Sequence, residues 1–254
     1  MFGWYRSQIK EHGFVDATRL LWRVGWSRSG VTLANKLLPA NASCPCCGWQ
    51  GRRFHDYIEL AYQVRNAACP RCESHSRHRA FFLWLTQEYQ LRNKSGVALV
   101  FAPEPALTPT WNSASHLKVY RADLSPSRGV DVLLDIQALP FASRSVDLVW
   151  CHHVLEHVEN DEAAISELRR ILRPVTGELI VSVPMTFGAK TREYGFPNKR
   201  ESGHWRMYGD DFVDRLARSG LTIETVNYRA KPADQIRSAI EPEHWYICRS
   251  SNHK

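Results

Sequence analysis

Residues 133–158 read LLDIQALPFASRSVDLVWCHHVLEHV, and this run decides the fold. It opens within one apolar segment, residues 130–135, and contains a second, residues 145–151. Each has the length and apolar density of a buried strand and ends in polar residues. Downstream, Ala164, Ile165, Leu168, Ile171 and Leu172 recur at helical spacing, and Pro174 stops that helix. A further strand follows at residues 178–184. Strand, helix and strand in this order predict a parallel α/β sheet. Upstream, residues 96–102 and 117–123 add two more strands. Beyond the run, residues 221–226 and 244–248 read as a C-terminal antiparallel pair. A helix over residues 210–217 begins with two acids suited to its N-terminus and is closed by Gly220.

Open α/β sheets bind ligands outside the carboxyl ends of their strands. Asp123 ends one strand, where a carboxylate can accept hydrogen bonds from both hydroxyls of a ribose. Asp135 ends the next, within reach of an adenine amino group. Two acids on successive strand ends form a candidate nucleoside site.

The front of the chain is different. Among seven cysteines, Cys44-Pro45-Cys46-Cys47-Gly48 and Cys69-Pro70-Arg71-Cys72 form two knuckles. Two residues between thiolates let one tight turn aim both sulfurs at one ion, and two facing turns complete a tetrahedral zinc site. The expected ligands are Cys44, Cys47, Cys69 and Cys72, within a zinc ribbon over residues 41–75. Residues 51–68 supply its short strands. His75 and His78 are surplus to a four-cysteine set. Residues 76–96 carry Phe82, Leu85 and Tyr89 at helical spacing and are expected to link ribbon and sheet as one helix. Residues 1–40, with Trp4, Trp22 and Trp26 among basic residues, read as a helical extension that covers the core, lies on an anionic membrane surface or touches nucleic acid.

The chain has 254 residues, 44% of them apolar and 23% charged, which excludes collagen-like and largely disordered classes. Its net charge of +7 lies in front: residues 1–96 hold 14 Lys/Arg against 6 Asp/Glu, and the remainder 19 against 20. A polyanion or membrane contact is therefore expected at the front third of the chain and not at the sheet. No apolar run reaches the roughly 18 residues of a membrane span, and the start lacks the apolar core of a secretory signal. The expected location is cytoplasmic, or peripheral at the inner membrane face.

Residues 133–158, together with Glu167-Leu168-Arg169-Arg170-Ile171-Leu172-Arg173-Pro174 leading into a strand, resemble class I S-adenosylmethionine-dependent methyltransferases of type 11. A narrower resemblance is to bacterial methyltransferases with an N-terminal zinc ribbon, carried by Arg77-His78-Arg79, Ala102-Pro103-Glu104 and His204-Trp205-Arg206-Met207-Tyr208-Gly209. The resemblance covers about residues 97–250, with a domain over 97–254. It implies a Rossmann-like seven-stranded sheet with the last strand antiparallel. It also implies S-adenosyl-L-methionine as cofactor, held by Ala102, Pro103, Glu104, Asp123, Leu124, Asp135, Ile136 and His152. Two departures stand out. The turn after the first strand, Phe101-Ala102-Pro103-Glu104-Pro105, lacks glycine, and Glu104 is expected to reach the amino end of the methionine moiety. Pro174-Val175-Thr176-Gly177 replaces a Pro-Gly-Gly turn.

Methyl transfer from a sulfonium needs an in-line nucleophile and positioning above all. The resemblance places His153 near the methyl group and makes His157 a structural helix residue. Residues 188–209 have no apolar stripe and read as a substrate lid. With His153, the lid's His204 and Arg206 are the candidate catalytic residues. The expected reaction methylates a hydroxyl or carboxyl of a small molecule, glycan or lipid-linked acceptor. The alternatives are an RNA methyltransferase gripping its substrate through the basic ribbon, and a non-catalytic binding protein.

Overall fold

The computed structural model describes residues 2–60, 62–126 and 129–250, without the side chains of residues 2 and 11; the last four residues of the expected large domain lie outside the described residues. The elements run α1 (Phe2–His12), α2 (Phe14–Leu37), β1 (Ala42–Ser43), β2 (Gln50–Gly51), β3 (His55–Ile58), β4 (Gln63–Ala68), α3 (Ser76–Leu83), β5 (Gly96–Phe101), α4 (Thr108–Asn112), β6 (Leu117–Asp123), β7 (Val132–Leu133), β8 (Leu148–His152), α5 (Asp161–Ile171), β9 (Glu178–Ser182), β10 (Arg192–Asn198), β11 (His204–Met207), α6 (Phe212–Arg218), β12 (Leu221–Tyr228), α7 (Pro232–Ser238) and β13 (Glu243–Ser250). They divide into two units. The small one holds the chain up to Glu88 together with Arg229–Pro242, and the large one holds Tyr89–Tyr228 and the chain from Glu243.

In the large unit seven strands form one sheet in the order β7-β6-β5-β8-β9-β13-β12. β7, β6, β5, β8 and β9 are mutually parallel. β13 runs antiparallel to both β9 and β12. This is the α/β, Rossmann-like sheet expected, with its last strand reversed. Apolar residues on the central strands produce it: β8 and β9 are buried along their whole length. Leu99, Val149, Cys151, Leu179 and Val181 share a core with Ala164, Ile165, Leu168 and Ile171 of α5. The Asn160 side chain caps α5 by accepting from the Ala163 amide at 3.0 Å. β7 is shorter than expected and pairs through two residues only.

The two glycine-poor turns keep the backbone a glycine would adopt. Ala102 has φ +44° and Val175 has φ +67°. A left-handed conformation costs an L-residue roughly 1–2 kcal/mol. Val175 is 59% exposed, so its side chain contributes little packing. Val175→Gly is therefore expected to stabilise the chain by about 1 kcal/mol, the strain relief less the entropy glycine adds to the unfolded state, read as a higher denaturant midpoint at unchanged slope.

The small unit is built around the knuckles. β1–β2 and β3–β4 are two antiparallel hairpins. α2 docks beside them through Asn35, whose Oδ1 accepts from the amides of Arg52 at 2.7 Å and Arg53 at 3.0 Å. The expected single helix over 76–96 is broken: α3 ends at Leu83, a π turn spans Trp84–Glu88 and a 3-10 turn Leu91–Asn93. The boundary between the units falls within that segment. The small unit also takes α7, which is inserted between β12 and β13 of the large sheet. Arg79, fully buried, ties it in by donating to the carbonyls of Ala67 at 3.0 Å and Ala239 at 3.1 Å, and it stacks 4.2 Å over the Phe54 ring. His78 serves α3: its Nδ1 accepts from the His75 amide at 2.9 Å.

Candidate active site

A cavity of about 420 Å³ opens at the carboxyl ends of β5, β6, β7 and β8, where the strand order reverses direction around β5. That volume lies within the roughly 300–1,000 Å³ of small-molecule sites. Phe101 and Ala102 leave β5, Asp123 and Leu124 leave β6, Leu134 to Gln137 follow β7, and His153 and Val154 follow β8. His157, Val158, Glu159 and Trp205 complete the wall. The lining is largely apolar, with two carboxylates on adjacent strand ends.

Local hydrogen bonds orient both acids. Asp123 accepts from the Ser125 amide at 3.1 Å through one carboxylate oxygen, and Asp135 accepts from the Gln137 amide at 2.9 Å. Gln137 in turn accepts from the Asn160 amide at 3.2 Å, tying the β7 end to the start of α5. Ala102 and His153, both on the wall, have positive φ, at +44° and +52°. Backbone strain of this kind is held by surrounding structure and clusters at ligand sites.

Of the residues predicted to hold cofactor, Ala102, Asp123, Leu124, Asp135 and Ile136 line the cavity. Pro103, Glu104 and His152 do not line it, and neither proline nor glutamate of that turn fills the space. His152 is buried at the end of β8. Its Nδ1 is hydrogen-bonded to the Ser182 hydroxyl on β9, and its Nε2 lies 3.9 Å from Glu104 Oε2. Sequence alone cannot separate His152 from His153; His152 is the last residue of β8, and the turn after it, where His153 takes φ +52°, brings His153 to the wall.

The segment expected as an irregular lid contains an antiparallel hairpin, β10–β11. β10 is largely exposed on both faces, and the one buried residue of β11 is the charged Arg206, so no apolar alternation announced it. Trp205 of β11 lines the cavity, whereas its neighbours His204 and Arg206 do not. Arg206 is 4% exposed and acts on the wall indirectly. It donates to the carbonyls of Leu155 at 3.2 Å, Val158 and Glu159 at 2.7 Å, and pairs with Glu193 at 3.0 Å and Asp161 at 3.6 Å. It therefore clamps the 155–159 turn, and borders a separate polar depression with Arg215 and Glu162. It is a positioning residue; a catalytic role in contact with a reactant does not fit its place.

His157 differs from its expected place in a helix. It sits on a 3-10 turn, Leu155–His157, and faces the cavity. Its ring meets that of His204 edge-on at a centroid distance of 4.7 Å. Burial holds both imidazoles below their ordinary pKa, with the neighbouring His204 adding to the effect at His157. Glu156 is 1% exposed, and its Oε1 lies 3.6 Å from His153 Nδ1.

In the small unit, Cys44, Cys47, Cys69 and Cys72 bring their sulfurs within 4.8 Å of one another. The separations Cys44–Cys72 and Cys47–Cys69 are 3.7 and 3.6 Å. A tetrahedron with zinc–sulfur bonds of about 2.3 Å has edges of about 3.8 Å, so the four sulfurs fit that ion. Each knuckle closes alike: Gly48 (φ +70°) and Glu73 (φ +58°) donate their amides to the carbonyls of Cys44 and Cys69 at 2.9 Å. Cys46 packs beside Cys44 but is not one of the four: its Sγ is directed to the His78 carbonyl at 3.7 Å.

A family model described as a methyltransferase domain matches residues 110–181. A curated relative, the malonyl-[acyl-carrier protein] O-methyltransferase of Gallionella capsiferriformans (strain ES-2), is 24% identical over 156 residues, which is 60% of this chain and 53% of that protein. The chain thus spans about half the length of the curated relative it matches. Similar solved structures include an S-adenosylmethionine-dependent methyltransferase from Mesorhizobium loti (14% identity, 66% of this chain and 96% of that one, TM-score 0.47). The PH0226 protein from Pyrococcus horikoshii OT3 is another (17% identity, 69% and 90%, TM-score 0.46).

Proposed function

We propose that this chain, whose large unit carries a class I S-adenosylmethionine-dependent methyltransferase domain, transfers a methyl group from S-adenosyl-L-methionine to an oxygen of a small-molecule, glycan or carrier-linked acceptor. The observation that carries this reading is the cavity at the strand ends, with Asp123 ending β6 and Asp135 just after the adjacent β7. Bound there, the cofactor supplies an electrophilic methyl on a sulfonium with a good leaving group. Asp123 accepts from the ribose hydroxyls, Asp135 and Ile136 flank the adenine, and Ala102 brings backbone close to the amino acid moiety. His153 stands on the acceptor side, where an imidazole can take a proton from a hydroxyl; a carboxylate acceptor needs none removed. Trp205 and the apolar wall exclude water.

An oxygen acceptor is supported by the name of the curated relative, which specifies O-methylation of a malonyl group on a carrier protein. The four cysteines hold a structural zinc ion that staples the small unit. Among the described residues no helix is long and apolar enough to cross a membrane. The exposed Trp22, Trp26 and Leu37 of α2, beside basic residues, suit an anionic lipid surface. Calorimetric titration of the zinc-loaded chain with S-adenosylhomocysteine tests the reading: one equivalent is expected to bind, and absence of binding would end it.

A further inference from the structure

Glu156, His157 and His204 stand together beside the cavity, and methyl transfer as described leaves them without a task. One carboxylate oxygen of Glu156 and one ring nitrogen from each histidine lie within 4.8 Å of one another. They come from two elements, the 3-10 turn after β8 and the strand β11, brought together by the Arg206 clamp on the 155–159 turn. Glu156 is 1% exposed, a position that suits a carboxylate engaged with cations or donors instead of water. Nδ1 of His204 is buried and makes no hydrogen bond. A buried polar atom left so calls for an explanation, and a missing ion is one.

Two imidazoles and one carboxylate are the donor set of open zinc sites and of two-histidine, one-carboxylate sites for other divalent transition metals. We propose that Glu156, His157 and His204 bind a divalent transition-metal ion at the cavity wall, and that its open positions take an oxygen of the methyl acceptor. The metal site stands on geometry alone; its use in catalysis rests on the methyl-transfer reading. Bonds of about 2.0–2.2 Å require the three donors to close in by side-chain rotation. The hairpin position of His204 and the exposed ring of His157 leave room for that. His153, 3.6 Å from Glu156, is placed to orient the carboxylate from outside. The hard and borderline donors here also contrast with the four thiolates of the small unit, so the two sites select different ions.

Coordination lowers the pKa of a bound hydroxyl. The acceptor's proton then passes to the His153 imidazole on the acceptor side. Its oxygen forms a bond to the methyl carbon as the carbon–sulfur bond breaks, with both electrons passing to sulfur, and S-adenosylhomocysteine departs as a neutral thioether.

The test is titration of the zinc-loaded, dialysed full chain with Co²⁺, followed by calorimetry and visible absorption, with S-adenosylhomocysteine affinity measured in parallel. One further equivalent is expected to bind, with the weak d–d bands of nitrogen and oxygen ligands and no new thiolate-to-cobalt charge transfer. His204→Gln and Glu156→Gln are expected to weaken that binding roughly tenfold or more, while nucleoside affinity in His204→Gln stays within about twofold, since His204 lies outside the cavity lining. Absence of the second equivalent in the unaltered chain, or unchanged cobalt binding in both variants, overturns the metal site. Cobalt binding without nucleoside binding would support the site and refute the methyl-transfer reading alone.

Discussion

Asp123→Ala is expected to lower the affinity for S-adenosylhomocysteine by about a hundredfold or more. Hydrogen bonds to a charged acceptor contribute about 1.5–3 kcal/mol each, and two are lost with the carboxylate. The variant also removes the acceptor for the Ser125 amide, 3.1 Å away, which loosens the loop after β6. Asp123→Asn separates the two effects. It retains an oxygen for Ser125 and one acceptor for the ribose, so the melting temperature should hold while affinity falls roughly tenfold. Calorimetry with both variants gives the binding terms, and thermal unfolding gives the structural one. Equal affinity for all three proteins would remove the carboxylate from the binding account.

Cys69→Ser has the larger structural consequence. The apolar core of the ribbon consists of Ala42, Cys44, Phe54 and Cys69, with Trp49 packed against it, so two of its four buried members are proposed metal ligands. A structural zinc site supplies about 10–16 kcal/mol, which is as much as the whole stability of an ordinary domain, about 5–15 kcal/mol. Loss of one thiolate should therefore release the ion and unfold β1 to β4. The expected readouts are one zinc equivalent fewer by elemental analysis and loss of hydrogen-exchange protection over residues 42–72. Cys46→Ser should change neither, because Cys46 faces the His78 carbonyl outside the cluster. A Cys69→Ser protein that kept its zinc and its protection would refute a four-thiolate site.

The large sheet was legible because its central strands are buried on both faces and therefore read as unbroken apolar runs, as in LVWCH and ELIVS. The acids at the ends of β6 and β7 were legible for the same reason: once the strands are placed, their carboxyl ends follow. The hairpin β10–β11 was not, because β10 is largely exposed and the one buried residue of β11 is Arg206, so neither strand carries a period-two apolar signal. The insertion of residues 229–242 into the small unit was hidden too. It depends on Arg79 reaching the Ala239 carbonyl, a contact across 160 positions that no local pattern encodes. The role of Arg206 was misread because an arginine in a polar segment resembles a surface group. Only the structure shows it buried among the carbonyls of the 155–159 turn. The cavity position of His157 was not legible either, because it is set by the 3-10 turn Leu155–His157 and no apolar period marks such a turn.

The two glycine-poor turns show how far such departures can be tolerated. Ala102 and Val175 adopt the left-handed backbone at a cost of roughly 1–2 kcal/mol each, and β5, which Ala102 follows, and β9, which Val175 precedes, remain in register with their neighbours. The shape of the cavity is thus kept by the sheet even where glycine is absent.

The most direct measurement is a crystal structure of the full chain grown with S-adenosylhomocysteine. The nucleoside should lie in the cavity, with both ribose hydroxyls in hydrogen-bond distance of the Asp123 carboxylate and the adenine against Asp135 and Ile136. A nucleoside bound elsewhere, or a ribose that leaves Asp123 uncontacted, would contradict the account.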